Sequence, residues 1–301
     1  MATSVTPNGQ PLVSVIVPCY NHEAFVAECI LSVLNQSYPN LQLIVIDDGS
    51  KDKSVAIIRN LQKTNLFIFE HQQNMGLSAT LNKAISQYAS GKYIALIASD
   101  DVWHIDKIKL QVEFMEQHPD FGMCCTKAVF IDEHSAITGE LNQKLFTRKY
   151  GFKEIALGKS FVPALTAMVK REVYDSVGLF DTALLIEDLD MWLRIADKYP
   201  IGFINQVTAY YRQHGTNTSS RLVAMAEARF QILDKWKHKG TIYRKMKRNF
   251  ELQALSDLGK AYPEQARKYL RYTLRNFLYP RYRKIIFKYF TVGKEIIACH
   301  T

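Results

Sequence analysis

No apolar run in this chain reaches about 18 residues, so no membrane-crossing helix is expected. No two cysteines stand in a CxxC pair. There are five in all, an odd number, at Cys19, Cys29, Cys124, Cys125 and Cys299. That pattern argues against a disulfide framework or a zinc site and fits reduced thiols in a cytoplasm. Cys124-Cys125 reads most simply as a buried strand pair. The first ten residues lack the basic and apolar regions of a signal peptide. Neither GxGxxG nor GxxxxGKS/T occurs, which removes the dinucleotide fingerprint and the P-loop. There is no internal repeat, no low-complexity stretch and no nucleic-acid-binding motif.

Charge is present but uneven. The 301 residues carry a net charge of +9. Residues 221–301 hold 19 basic and 6 acidic residues, whereas residues 1–220 hold 19 basic and 23 acidic. A mildly acidic body therefore carries a basic C-terminal extension, which suggests a polyanionic surface as partner.

The first hundred residues alternate strand and helix signals. Strands are expected at Leu12–Val17, Leu43–Ile46, Leu66–Phe69 and Tyr93–Ala98. Helices are expected at Ala24–Asn35, Ser54–Leu61 and Leu77–Tyr88. Continuous apolar strands between helices indicate a parallel sheet buried on both faces, a doubly wound α/β layer. Further on, the pattern predicts a helix over Ile105–Gln117, a strand over Gly122–Ile131 and a polar loop over Thr138–Tyr150. A short helix at Glu154–Leu157, a strand over Ala164–Val169, a helix over Leu184–Ala196 and a last strand over Val207–Tyr211 complete this part.

In a doubly wound sheet, ligands bind beyond the carboxyl ends of the strands. The polar residues gather there: Pro18-Cys19-Tyr20-Asn21, Asp47-Asp48-Gly49-Ser50, Asn74-Met75-Gly76 and Ser99-Asp100-Asp101. Two adjacent carboxylates at the mouth of a buried strand call for a nearby cation. Hard oxygen ligands suit Mg²⁺ or Mn²⁺. The competing reading of Asp100 or Asp101 is the N-cap of the helix that follows. Glu187 and Asp188 likewise have a local explanation, as acidic residues in a first helical turn.

Four stretches, in this order, resemble the family 2 glycosyltransferases, which are inverting enzymes of the GT-A fold. They are VSVIVPCYNHEAFVAECILSVLNQSYPNLQLIVIDDGSKDKS, NMGLSATLNKAISQYASGKYIALIASDD, VGLFDTALLIEDLDMWLRIA and YYRQHGTNTS. The resemblance spans roughly Pro11 to Ser220. It implies a catalytic domain over 1–220, with a nucleotide-binding half at about 11–101 and an acceptor half at about 102–220. A basic, mainly helical extension over 221–301 follows.

The resemblance also implies roles. Pro18 and Tyr20 would line the nucleobase together with Asn21, and Asp48 would accept a hydrogen bond from the base, while Asp47 stays structural. Asp100 and Asp101 match the DxD element that holds the ribose and a divalent ion, Mn²⁺ or Mg²⁺. Asp101 is the expected metal ligand, and Asp100 lies toward the ribose. Asp188 matches the general base, with Glu187 beside it as a candidate for contact with the acceptor or the donor sugar. Arg212 and His214 match a motif that closes over the diphosphate, His214 reaching toward the metal. Trp103 could touch the donor sugar or the acceptor, or belong to the core. His22, His71, His104, His118 and His134 read as surface or capping residues, because none has metal-ligand spacing. Two departures stand out. Ala98 occupies a position where many relatives have Asp, and Leu81 one where many have Arg.

The implied activity is transfer of a sugar from a nucleoside-diphosphate sugar, a UDP-sugar by preference, to a saccharide hydroxyl. The acceptor would be carried on a lipid diphosphate during bacterial polysaccharide synthesis, such as O-antigen or capsule. The chain would then be cytoplasmic and peripheral on the inner face of the membrane. Glu264–Leu278 has amphipathic helical spacing and Arg281–Phe290 is basic and aromatic, which suits an anionic bilayer. The same segments could instead cap the catalytic domain. A non-catalytic nucleotide-sugar-binding or scaffold protein on this fold is the alternative function. No nucleic-acid partner is expected.

Overall fold

A computed structural model describes residues 9–141, 149–159, 162–215, 221–273 and 283. It divides into two units. One comprises residues 1–155, 159–183 and 187–214, and the other takes 156–158, 184–186 and the chain from 215 onward. The boundary expected at 220/221 adjoins residues 216–220, which lie outside the described set.

The first unit begins with β1 (Val13–Cys19), α1 (Val26–Leu34), β2 (Leu41–Asp47), α2 (Ser54–Gln62), β3 (Ile68–His71), α3 (Leu77–Lys83) and β4 (Tyr93–Leu96). Strands β3-β2-β1-β4 run parallel in that order. The apolar runs explain them, since Val13, Val15, Ile16 and Val17 of β1 are all fully buried between helical layers. In α1 the buried residues Val26, Cys29, Ile30 and Val33 follow the helical repeat. The expected helix over Leu77–Tyr88 is present, but its last turn, Ala84–Tyr88, is π-helical.

The rest of the sheet is mixed. The elements are β5 (Val102–Trp103), α4 (Lys107–Gln117), β6 (Met123–Ile131), β7 (Ile137–Glu140), β8 (Lys149–Tyr150), α5 (Phe152–Ala156), β9 (Met168–Lys170), α6 (Arg171–Val177), α7 (Glu187–Lys198) and β10 (Ile201–Arg212). The order continues from β4 as β9-β6-β10-β5, with β7 on β6 and β8 on β10. β9 is antiparallel to both β4 and β6, and β10 is parallel to β6.

Several expectations shift here. The strand read at Ala164–Val169 is a 3-10 turn at Ala164–Thr166 followed by β9. Pro163 causes this, because its carbonyl accepts hydrogen bonds from the Thr166 amide and hydroxyl. The polar loop read at Thr138–Tyr150 contains β7 and β8, with residues 142–148 between them outside the described set. β10 starts six residues before the expected strand, because a register shift between Phe203 and Val207 interrupts its alternation.

The second unit contains α8 (Leu222–Asp234), α9 (Thr241–Leu258) and α10 (Pro263–Thr273). They share a core of Ala226, Ala254, Leu255, Leu258, Ala266 and Tyr269, with Phe230 packed against it. The apolar residues Ala266 and Tyr269 of α10 are therefore covered within the unit. The Arg281–Phe290 segment lies outside the described residues apart from Arg283. No helix among the described residues is long and apolar enough to cross a membrane.

Candidate active site

The parallel register sets Cys19 opposite Asp47, and Asp47 opposite His71. The carboxyl ends of β1, β2 and β3 are thus level. Asp47 is fully buried and serves its own turn. Its carboxylate accepts from the Ser50 amide (3.0 Å) and hydroxyl (2.5 Å), and His71 Nδ1 lies 2.8 Å away. Asp48 faces the loop after β3. The Met75 amide (2.8 Å) and the Gln72 side-chain amide (2.9 Å) donate to Oδ1, and the Gly76 amide donates to Oδ2 (2.9 Å). Gly49 has φ +80°, and an added Cβ would stand 2.8 Å from the Asn74 backbone nitrogen; a side chain there would push the two turns apart.

Tyr20 is 47% exposed at the end of β1, with its ring open to a ligand. Asn21 adopts a left-handed φ of 54°, a conformation that Asn tolerates better than most residues. It crosses to the β2 loop: its amide donates to Ser50 Oγ (2.8 Å), and its Oδ1 accepts from the Lys51 amide (2.7 Å).

Asp100 and Asp101 do not cap a helix. β5 intervenes, and α4 begins at Lys107 with Asp106 at its N-cap. Asp101 Oδ1 instead accepts from the backbone amide of Arg212 (2.9 Å). That bond fixes the end of β10 and, two residues on, places His214, whose Nε2 lies 2.9 Å from Asp100 Oδ2. Burial raises the Asp101 carboxyl well above its ordinary range. The neighbouring Asp100 adds to the rise, and the Arg212 amide and guanidinium oppose it.

Arg212 lies beneath this pair and is fully buried. Its Nε donates to the Asp100 carbonyl (2.7 Å). Its Nη1 donates to the Asp132 carbonyl (2.7 Å) and Ser135 Oγ (3.0 Å), and Nη2 pairs with Glu28 Oε2 (2.6 Å). Its guanidinium carbon also stands 4.9 Å from the Phe25 ring centre. The side chain expected over the diphosphate is placed as a buried strut that ties β10 to α1 and to the turn after β6.

The structure adds His22 to the neighbourhood. His22, Asp100 and His214 each offer one donor atom, and these atoms lie within 4.8 Å of one another. The separation between His214 Nε2 and Asp100 Oδ2 matches adjacent corners of an octahedron, about 3 Å for metal–donor bonds of about 2.1 Å. Imidazole and carboxylate together fit a divalent ion such as Mn²⁺. Burial holds His22 below the ordinary imidazole range, against the pull of Asp100 and with the help of His214; the neutral ring is the ligating form. Spacing along the chain gave no sign of His22, because its partners Asp100 and His214 lie 78 and 192 residues further on. The one local hint was its position directly after the Tyr20-Asn21 turn.

Glu187 and Asp188 open α7. The helix is anchored by Trp192, whose indole N–H donates to the Val162 carbonyl (3.0 Å), and by Arg194, which donates to the Val177 and Leu179 carbonyls (2.6 and 2.9 Å). Asn82 of α3 exchanges two hydrogen bonds of 2.8 Å with the Phe180 backbone, fastening the segment that leads toward α7. Loss of solvent raises Asp188 to about 6. It raises Glu187 to about 8 with a further contribution from the Asp188 charge. The pair shares close to one proton near neutrality.

Trp103 takes the core alternative. It is 3% exposed and donates its indole N–H to the Leu165 carbonyl (2.8 Å), with the Lys107 ammonium 4.0 Å above its ring. Pro18 sits partly exposed on β1 next to Tyr20. The structure thus gathers Asp100, Asp101, Arg212 and His214 into one bonded group, with His22 beside it. It sets Tyr20, Asn21 and Asp48 on the adjoining strand ends.

The model of the family described as glycosyl transferase family 2 matches residues 14–178. An uncharacterised glycosyltransferase of Methanocaldococcus jannaschii is 31% identical over 67% of this chain and 71% of its own length. The putative teichuronic acid biosynthesis glycosyltransferase TuaG of Bacillus subtilis is 29% identical over 71% of this chain and 83% of its own. Among solved structures, S. aureus TarS (residues 1–349) in complex with UDP-GlcNAc superposes with a TM-score of 0.66, at 20% identity, covering 95% of this chain and 92% of that one. A Pyrobaculum calidifontis mannosyltransferase bound to GDP-Man and Mn²⁺ superposes with a TM-score of 0.63 at 19% identity, covering 98% and 88%. The chain belongs to glycosyltransferase family 2 and has the GT-A fold.

Proposed function

We propose that this glycosyltransferase moves a sugar from a UDP-sugar to a saccharide hydroxyl with inversion, assisted by Mn²⁺ or Mg²⁺, in the synthesis of a bacterial surface polysaccharide. The observation that carries the reading is the Asp100–His214 pair held at the sheet's carboxyl edge by Asp101 and Arg212. The relatives add support, since TuaG is named for teichuronic acid biosynthesis and TarS was solved with UDP-GlcNAc.

Each group has work to do in such a transfer. Tyr20 offers a face on which a base can stack, and Asp48 holds the Asn74–Gly76 turn beside it. Asp100 and His214 would hold the divalent ion in place of the expected Asp101, whose Oδ1 already accepts from the Arg212 amide. When bound, that ion would offset the negative charge of the departing diphosphate. Asp188 takes the proton from the attacking hydroxyl. Its raised pKa keeps it basic enough for the task while ionised near neutrality. Attack on the face opposite the leaving group gives inversion.

A panel of nucleotide sugars with and without Mn²⁺ tests the reading. A UDP-sugar should release UDP slowly by hydrolysis in the presence of metal. At 100 times its Kd it should also stabilise the fold by about 2.7 kcal/mol. Protection with no release from any donor would support a non-catalytic binding protein instead, and neither effect would end both readings.

The same proposal places the acceptor on a lipid diphosphate and the chain peripherally on an anionic membrane. The surface that favours this is residues 235–248, where Lys235, Lys237, Lys239, Arg244, Lys245, Lys247 and Arg248 occur with no carboxylate among them. Because α10 packs its Ala266 and Tyr269 inside its own unit, the attraction is electrostatic. Sedimentation with anionic vesicles should fall roughly a hundredfold in the triple variant Lys237→Gln, Arg244→Gln, Lys245→Gln, at about 1 kcal/mol per charge. Equal sedimentation of variant and wild type would remove the membrane from the proposal.

A further inference from the structure

We infer that His22 is a third protein ligand of the divalent ion, so that two imidazoles and one carboxylate hold Mn²⁺ before any nucleotide binds and select it over Mg²⁺. This rests on the reading of the site as a metal-assisted transferase centre, and it changes what that centre is made of. His22 and His214 address opposite oxygens of one carboxylate. His214 Nε2 lies 2.9 Å from Asp100 Oδ2, and His22 Nδ1 lies 3.9 Å from Oδ1. The two rings are 5.6 Å apart and nearly perpendicular, at 87°.

His22 is also held in place. The left-handed Asn21 turns the chain and the His22 amide donates to Ser54 Oγ (3.1 Å), while Ser99 Oγ, 2.8 Å from Nδ1, marks the contact that the ion would replace at that nitrogen. Phe25 packs against both rings, 6.3 Å from His22 and 5.1 Å from His214. A ligand whose rotamer is already limited loses less entropy when it binds the ion.

Ala98 gives the arrangement its point. With no carboxylate there, Ser99-Asp100-Asp101 has one acidic group directed at the site, since Asp101 Oδ1 accepts from the Arg212 amide. One carboxylate and one imidazole would leave the ion dependent on the diphosphate. A second imidazole from the end of β1 supplies the missing ligand. It also changes the preference: nitrogen donors favour Mn²⁺ and later first-row ions, whereas Mg²⁺ wants oxygen and gives up water reluctantly.

Paramagnetic resonance of the full chain with Mn²⁺ and no nucleotide reads this directly. Titration should quench the free-ion signal, and spin-echo modulation of the bound ion should show two imidazole nitrogens. In His22→Asn one nitrogen should remain, with Mn²⁺ affinity lower by on the order of tenfold or more, since loss of an outer-shell partner alone weakens metal binding by about that much. A tenfold excess of Mg²⁺ should displace Mn²⁺ from the variant but not from wild type. One nitrogen in wild type, Mn²⁺ binding that requires UDP, or equal affinity in the variant would each overturn the inference. The wild-type nitrogen count decides the matter even where the variant does not fold. The outcome is separate from transfer: two nitrogens without any UDP release would leave His22 a ligand and remove the enzymatic reading. Release with one nitrogen would do the reverse.

Discussion

Replacing Asp188 with Asn should lower sugar transfer by about 10²-fold or more, since a positioned base contributes at least that much. Donor binding should survive, because the groups proposed to face the nucleotide lie on other elements. The measurement is turnover at saturating donor and Mn²⁺, alongside UDP protection against melting. Retention of more than about a tenth of wild-type turnover would remove Asp188 from the role. The pH profile gives a second reading of the same residue. A base works when ionised, and desolvation raises Asp188 to about 6. Turnover should therefore fall about tenfold per unit below pH 6, whereas an ordinary aspartate would hold its rate down to about pH 4. The residual activity of Asp188→Asn should be flat across that interval.

Arg212→Met is expected to be the most destabilising single change in the first unit. The guanidinium is fully buried and serves two carbonyls, one hydroxyl and Glu28. Methionine fills part of the volume but leaves the Asp100 and Asp132 carbonyls without their donors. Breaking a buried charged network of this sort costs about 3–5 kcal/mol, which in a domain of this size lowers Tm by roughly 6 °C or more. Lysine should not rescue it, because a single ammonium cannot reach acceptors spread around a planar fork. Calorimetry decides between two roles. A strut loses stability first. A diphosphate ligand would lose UDP affinity with Tm within about 1 °C of wild type.

Much of the donor half was legible because local pattern and tertiary burial agree there. Val13 to Val17 and Leu43 to Ile46 are apolar throughout because both faces of their strands are covered. The 3-1-3 spacing in α1 marks the buried face directly. The family resemblance left Asp47 a structural part, in keeping with its bonds to Ser50 and His71. What escaped the sequence depends on encounters between distant segments. Trp103 could equally have faced a sugar, and its indole bond to the Leu165 carbonyl settles it in the core. Arg212 was placed over the diphosphate by resemblance to a family motif, yet the Glu28 carboxylate that pairs with it and the carbonyls that accept from it lie far away in order. β9 is three residues long and follows a proline-led turn, too brief for periodicity to resolve. The register shift in β10 disguised half of that strand.

The joining of Asp101 to the Arg212 amide, of Asp100 to His214 and of Glu28 to the Arg212 side chain links residues 111, 114 and 184 apart in the chain. That has a consequence in time rather than in space. During synthesis strands β1 to β4 are complete once residue 101 has emerged, but the half-made chain still lacks β10, the locked Asp101 and the imidazole of His214. Contacts of such long range form late in folding. The growing polypeptide therefore passes through a stage with its first four strands in place and the Asp100–His214 pair not yet made. Asp100 and Asp101 gain their partners in one step, when β10 inserts beside β6.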